Sequence, residues 1–312
     1  MQQNKLEGIQ VFGGQFWYQS CFYHELMYAV GVWGIDGREL LLQEFIYYGK
    51  NFRINKNIMP MGKMYRSLGI SLQHVNVPDF ETAAEYIDKG FPLLIGVDNF
   101  YYKARTDDYN RIHASHFVLV YGYDRIKKIF YVIDHEYNNS YIFKEKECDA
   151  EDIINASRKY GEGICKRKHT SLLLKRGKLS GERIYDRILA CPELLEQSVD
   201  NFENDMNKLK YYLKAGEKSL SKYCKKLSAF FYLANRKRTC LKESILGEMY
   251  PGLKDLLNDI SNMHAFFRAV FLKLEWWQDY RFIEKNREML CAKADELQEA
   301  EKKFFNEVKT LL

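Results

Sequence analysis

Four residues stand in an order that suits attack on a carbonyl by a thiol: Gln15, Cys21, His116 and Asp134. A thiol attacks only as thiolate, so a cysteine nucleophile needs an imidazole beside it, and a helix N-terminus lowers its pKa further. Cys21 falls where a helix should begin. His116 opens the run His116-Phe117-Val118-Leu119-Val120-Tyr121, and Asp134 closes the run Ile129 to Asp134. A hairpin between those strands would bring the carboxylate to the imidazole and fix its tautomer. Gln15 precedes Cys21 by six residues, and its amide with the Cys21 backbone N–H would form an oxyanion hole. One such donor contributes about 3 kcal/mol to a tetrahedral intermediate. Gln19 is the rival for that place, in a less familiar geometry.

The elements that must hold these residues are legible in the hydrophobic pattern. Cys21 to Val32 and Arg38 to Tyr48 read as helices, and a third runs from an Asp79 cap to Lys89, ended by Gly90. Strand signals follow closely at Phe91 to Val97, His116 to Tyr123, Ile129 to Asp134, Tyr141 to Phe143 and His169 to Leu174. The short turn after Tyr123 predicts a hairpin and so an antiparallel sheet. Helices first and strands later predict an α+β domain. After about residue 176 the strand signals stop. Long amphipathic stretches, Pro192 to Lys214, Ser219 to Thr239, Leu253 to Leu274 and Phe282 to Leu312, predict a helical bundle. The glycine- and charge-rich segment from Lys175 to Gly181 reads as the linker. The expected domains are therefore 1–178 and 179–312.

The 312 residues carry 46% hydrophobic and 29% charged side chains with only 5 prolines, a composition that excludes wholesale disorder. The net charge of +5 divides into +3 and +2 on either side of residue 178, so neither half has the concentrated basic footprint of a nucleic-acid binder. The polar start Met1 to Glu7 lacks the apolar core of a signal peptide, and no run reaches the ~18 apolar residues of a membrane span. The expectation is a cytoplasmic protein without membrane insertion. Its seven cysteines include no C-x-x-C pair, which favours reduced thiols and no metal centre. His113 and His116 make an H-x2-H, read as one functional and one surface histidine. His24-Glu25 fails H-E-x-x-H at Tyr28. Neither a phosphate-binding loop nor a dinucleotide loop is present, and Phe230-Phe231-Tyr232 and Trp276-Trp277 read as helix core. His135, at a strand end, is expected to be solvent-exposed.

Gln-x5-Cys at a helix start, followed by a strand-borne His and a strand-end Asp, resembles the papain-like cysteine peptidases in the compact form of bacteriocin-processing transporters. The stretches Gly90 to Tyr102, His116 to Asp124 and Tyr131 to Asp134 are closer still to the N-terminal domain of the butirosin-biosynthesis acyltransferase family. The similarity covers roughly residues 8 to 176. It implies a papain-like fold, with Cys21 as nucleophile, His116 as general base and acid, and Asp134 as the orienting carboxylate. Asp98, with Tyr101 and Tyr102, is implied to shape the substrate site. The implied reaction moves an acyl group from a carrier-protein thioester to an amine in natural-product biosynthesis. The partners would be an acyl or peptidyl carrier domain and a small-molecule amine. No cofactor of the protein's own is expected, the donor arriving on the partner's phosphopantetheine. Three departures bear on activity: the peptidases usually have Gly after the nucleophile where this chain has Phe22, Asp134 is followed by His135 where the superfamily often has Pro, and Lys103-Ala104 follows Tyr101-Tyr102 where the related acyltransferases tend to have a Leu-Pro type sequence. The alternatives are a cysteine peptidase or amidase using the same triad, and a non-catalytic interaction protein whose working part is the helical half.

Overall fold

A computed structural model describes residues 2–12, 20–54, 59–136, 142–179, 181, 183–189, 192–278 and 280–311. The chain forms two compact units, one of residues 1–40 and 62–181, the other of residues 41–61 and 182–312.

The first unit is α+β with a papain-like fold. Its strands are β1 (Gln3–Lys5), β2 (Ile70–Val75), β3 (Leu93–Asp98), β4 (Ser115–Asp124), β5 (Ile129–His135), β6 (Phe143–Asp149) and β7 (Ser171–Arg176). They lie in the order β2-β7-β3-β4-β5-β6, with β1 also paired to β4, and every pairing is antiparallel. The central strand β3, Leu-Leu-Ile-Gly-Val-Asp, is buried along its whole length, which explains its continuous apolar run. Register places Val97 opposite His116 and Asp98 opposite Ser115. A bulge between Val120 and Gly122 shifts the β4–β5 ladder.

The helices are α1 (Cys21–Ala29), α2 (Met61–Ser67), α3 (Phe80–Asp88) and α4 (Ala150–Gly163). Asp79 caps α3 by accepting from the Thr82 N–H, as its sequence position predicts. Asp149 does the same for α4 through the Asp152 N–H. One face of the sheet packs with α3 and α4 in a core that includes Phe80, Ile87, Ile95, Val118, Val132, Ile153 and Tyr102. The helix expected from Cys21 to Val32 tightens to 3₁₀ after Ala29, and that expected over Arg38 to Tyr48 is a 3₁₀ segment, Gly37–Glu44. Two strands, β1 and β2, and helices α2 and α4 carry no distinct signal in the sequence.

The second unit is helical: α5 (Ile184–Leu189), α6 (Pro192–Ala215), α7 (Glu217–Lys242), α8 (Ile245–Met249), α9 (Pro251–Trp277) and α10 (Arg281–Leu311), the last broken at Asn286. Residues 41–61, expected within the first domain, pack with these helices instead. Tyr48 explains why. Its N–H donates to Ser198 Oγ, its carbonyl accepts from Asn201, and its hydroxyl reaches Glu301. Glu301 in turn holds Arg238 through two bonds of 3.1 and 2.6 Å and meets His264 Nε2 at 2.9 Å, all fully buried. Such a network tolerates no vacancy, because each buried charge is compensated only by the others. Trp276 and Trp277, expected in the core, are 72% and 69% exposed, since α9 ends there.

Candidate active site

Ser20 is the N-cap residue of α1 and Cys21 its first helical residue. The sulfur therefore stands at the positive end of the helix dipole. The His116 side chain and the backbone N–H groups of Phe22 and Phe117 favour the ionised form of the Cys21 sulfur. His116 enters at the start of β4 and Asp134 near the end of β5. The hairpin between them brings His116 Nε2 to 2.9 Å from Asp134 Oδ1, leaving Nδ1 as the ring nitrogen for Cys21. The side chains of His116 and Asp134 are 4% and 0% exposed.

This geometry fixes the charges. Burial opposes ionisation of Cys21, but the hydrogen bond and charge of His116, with the two N–H donors, hold the thiol below its ordinary value. Burial likewise opposes the imidazolium, yet Asp134 and Cys21 raise His116 to about 9. Burial would raise Asp134; His116, Lys146 and the His135 N–H overcome it and bring the carboxyl down to about 2. These shifts favour a thiolate–imidazolium pair, anchored by a carboxylate, over the neutral thiol and imidazole.

Asp134 is held from all sides. The Tyr102 hydroxyl donates to Oδ2 at 3.1 Å, the His135 N–H donates to Oδ1 at 2.7 Å, and Lys146 Nζ stands 3.7 Å from Oδ2. Tyr102 was expected to line the substrate site. It is fully buried, and its ring belongs to the core beneath Asp134, where it orients the carboxylate. Asp98 caps the turn after β3 through the Phe100 N–H at 3.1 Å and lies 2.7 Å from His113 Nδ1. Tyr101 packs edge-on to Phe100 and His113. Asp98 and Tyr101 thus form one cluster with His113, beside the catalytic strand pair. Gln15 and Gln19 lie outside the described residues.

His135 is half-buried rather than exposed. Its ring packs on Phe143 at 4.4 Å and on His116 at 5.3 Å, and Phe143 also stacks on His24. His116, Asp134 and His135 offer ligand atoms within 4.8 Å of one another, but His116 Nε2 and Asp134 Oδ1 already satisfy each other. Lys146 and Glu25 were not singled out by the sequence reading. Lys146 sits in the charged run Lys144-Glu145-Lys146-Glu147, where period-2 alternation puts both lysines on one face and does not tell which of them approaches Asp134. Glu25 lies one helical turn after Cys21 and is fully buried.

Residues 42–159 match the model of the Peptidase_C39 like family. The match supports the papain-like cysteine-peptidase superfamily and a cysteine-peptidase-like enzyme. It includes His116 and Asp134 and starts after Cys21. None of the curated proteins matches the chain.

Proposed function

We propose that the protein is a cysteine-dependent acyltransferase, taking an acyl group from a carrier-protein or pantetheine thioester and passing it to an amine. The observation that carries this reading is the Cys21–His116–Asp134 array at the start of α1. The Cys21 thiolate attacks the thioester carbonyl, the C–S bond to the donor breaks, and the departing thiolate takes the proton of the His116 imidazolium. Neutral His116 then removes a proton from the amine as it attacks the acyl-Cys21. Asp134 orients the ring throughout. The resemblance to the butirosin-biosynthesis acyltransferases supplies the donor class, the carrier partner and the setting in bacterial natural-product biosynthesis. Phe22 favours transfer over proteolysis: it occupies the place usually held by Gly in the peptidases, and its ring packs edge-on to Phe117 at 5.4 Å.

A second reading, a peptidase or amidase, is favoured by the family match and would use the same three residues. The discriminating experiment offers the protein acyl-pantetheine thioesters with a set of primary amines, and separately a set of peptides. Amide product formed with ping-pong kinetics supports transfer. Peptide cleavage that disappears in Cys21→Ala, with no thioester consumed, would replace it by the peptidase reading.

A further inference from the structure

The mechanism above makes no use of Glu25. This carboxyl is completely buried, and neither of its oxygens has a hydrogen-bond partner among the described residues. Helical geometry sets it on the same face of α1 as Cys21, one turn further into the protein. Among the described residues, the titratable groups that interact with it are Cys21 and Tyr28 on its own helix and Asp134 on β5. It interacts electrostatically with Cys21 and Asp134, whose ionised forms are both negative. A third negative charge there has no compensating donor, so burial and these two neighbours keep Glu25 protonated far above the ordinary carboxylate range. An apolar residue of similar size would be more stable at this position, because a buried polar group without a partner is unfavourable. Local rules are broken in this way chiefly at functional sites.

We propose that Glu25 is a positioning residue that shares one negative charge with Cys21: it holds its proton while the sulfur is a thiolate and gives it up more readily once the sulfur is acylated. The inference rests on Cys21 being a nucleophile, and not on which acyl group it accepts. The balance is simple. Attack converts the thiolate into a neutral thioester and the donor leaves as a thiol carrying the His116 proton. The thiolate charge beside Glu25 and the imidazolium charge of His116 have then left together, so the proton affinity of Glu25 falls by the Cys21 share alone, and a proton it gives up goes to bulk water. His116 is left among negative charges again and stays a strong base for the incoming amine. The coupling is reciprocal, as linkage requires: what the thiolate does to the proton affinity of Glu25, a Glu25 carboxylate does to that of Cys21.

The test uses infrared difference spectroscopy, which sees the carbonyl stretch of a protonated carboxylic acid. Alkylation of Cys21 with iodoacetamide supplies a neutral sulfur without any assumption about donor. The free protein should show a buried carboxylic-acid band that is absent from Glu25→Gln. In the alkylated protein the same band should titrate away at least about one pH unit lower. Absence of the band in the free protein, or an unchanged midpoint after alkylation, would overturn the proposal. If Glu25→Gln does not fold, the carboxylic-acid bands of the unaltered protein titrated before and after alkylation decide alone: a midpoint lowered by alkylation supports the shared charge, and unchanged midpoints refute it. Failure of Cys21 to alkylate faster than the other cysteines would instead remove the nucleophile itself, an outcome separate from either result on Glu25.

Discussion

Replacing Asp134 by Asn should quench the nucleophile without removing it. His116 sits at about 9 against an ordinary 6.5, a difference that corresponds to about 3 kcal/mol of preference for the imidazolium. Asp134 and Cys21 supply that preference, and an amide at position 134 cannot supply the Asp134 share. If Asp134 accounts for half or more of it, the imidazolium loses about 1.5–3 kcal/mol, and the thiolate it supports becomes about 10- to 100-fold rarer near neutral pH. The assay is the rate of Cys21 alkylation by iodoacetamide, read by peptide mass spectrometry against pH, with circular dichroism confirming the fold. Asp134→Asn should be slower by that factor at neutral pH and approach the unaltered protein at alkaline pH, where any thiol ionises. The same pair makes folding pH-dependent, with opposite signs at its two ends. Asp134 is depressed from 3.8 to about 2, so its contribution is complete above 3.8 and lost as pH falls through about 2. His116 is raised, so its contribution is complete below 6.5 and lost as pH rises through about 9. The stabilisation by the pair should therefore be greatest between about pH 4 and 6.5 and absent from the variant. Identical alkylation profiles for the two proteins would refute the reasoning, because the carboxylate would then have no hold on the imidazole.

Three other perturbations test the surroundings. Tyr102→Phe removes the hydroxyl that orients Asp134 and should cost about 1–2 kcal/mol in urea unfolding, while slowing Cys21 alkylation less than Asp134→Asn does. Gly96→Ala should destabilise by about 1–3 kcal/mol, read as a lower midpoint in thermal melting; a Cβ on Gly96 would stand 2.7 Å from the Tyr160 ring and 2.8 Å from the Thr170 carbonyl oxygen. In the helical unit, Arg238→Met leaves Glu301 buried without its main partner and should cost about 3–5 kcal/mol in the same measurement, with the accompanying Glu301→Gln change recovering part of the loss.

The placement of Cys21, His116 and Asp134 was legible in the sequence because each lies at the end of an element whose pattern is unambiguous. Cys21 begins a helix, and His116 and Asp134 sit on two strands joined by a short turn, so topology follows from alternation. The antiparallel arrangement was legible for the same reason. Tyr102 was misplaced because its sequence neighbours say it leaves β3 toward a loop, while the direction of its hydroxyl is decided by the core beneath Asp134. The partner of β2 was hidden by distance along the chain, since Ile70 pairs with Arg176. Residues 41–61 show a different limit: Leu41, Leu42, Phe45, Ile46 and Tyr48 announce that they will be buried, and no periodicity says in which core. Polar partners far along the chain, Ser198, Asn201 and Glu301, settle that question. Glu25 was passed over because a charged residue in a helix ordinarily faces water, and only its burial reveals that it does not.

The central claim is that Cys21 carries an acyl group, and intact-protein mass spectrometry tests it most directly. The protein and its Cys21→Ala variant are exposed in parallel to a panel of acyl-pantetheine thioesters. The account predicts a mass gain of one acyl group on the unaltered protein, absent from the variant and discharged by a primary amine. Equal masses before and after exposure, or an adduct that persists in Cys21→Ala, would contradict it.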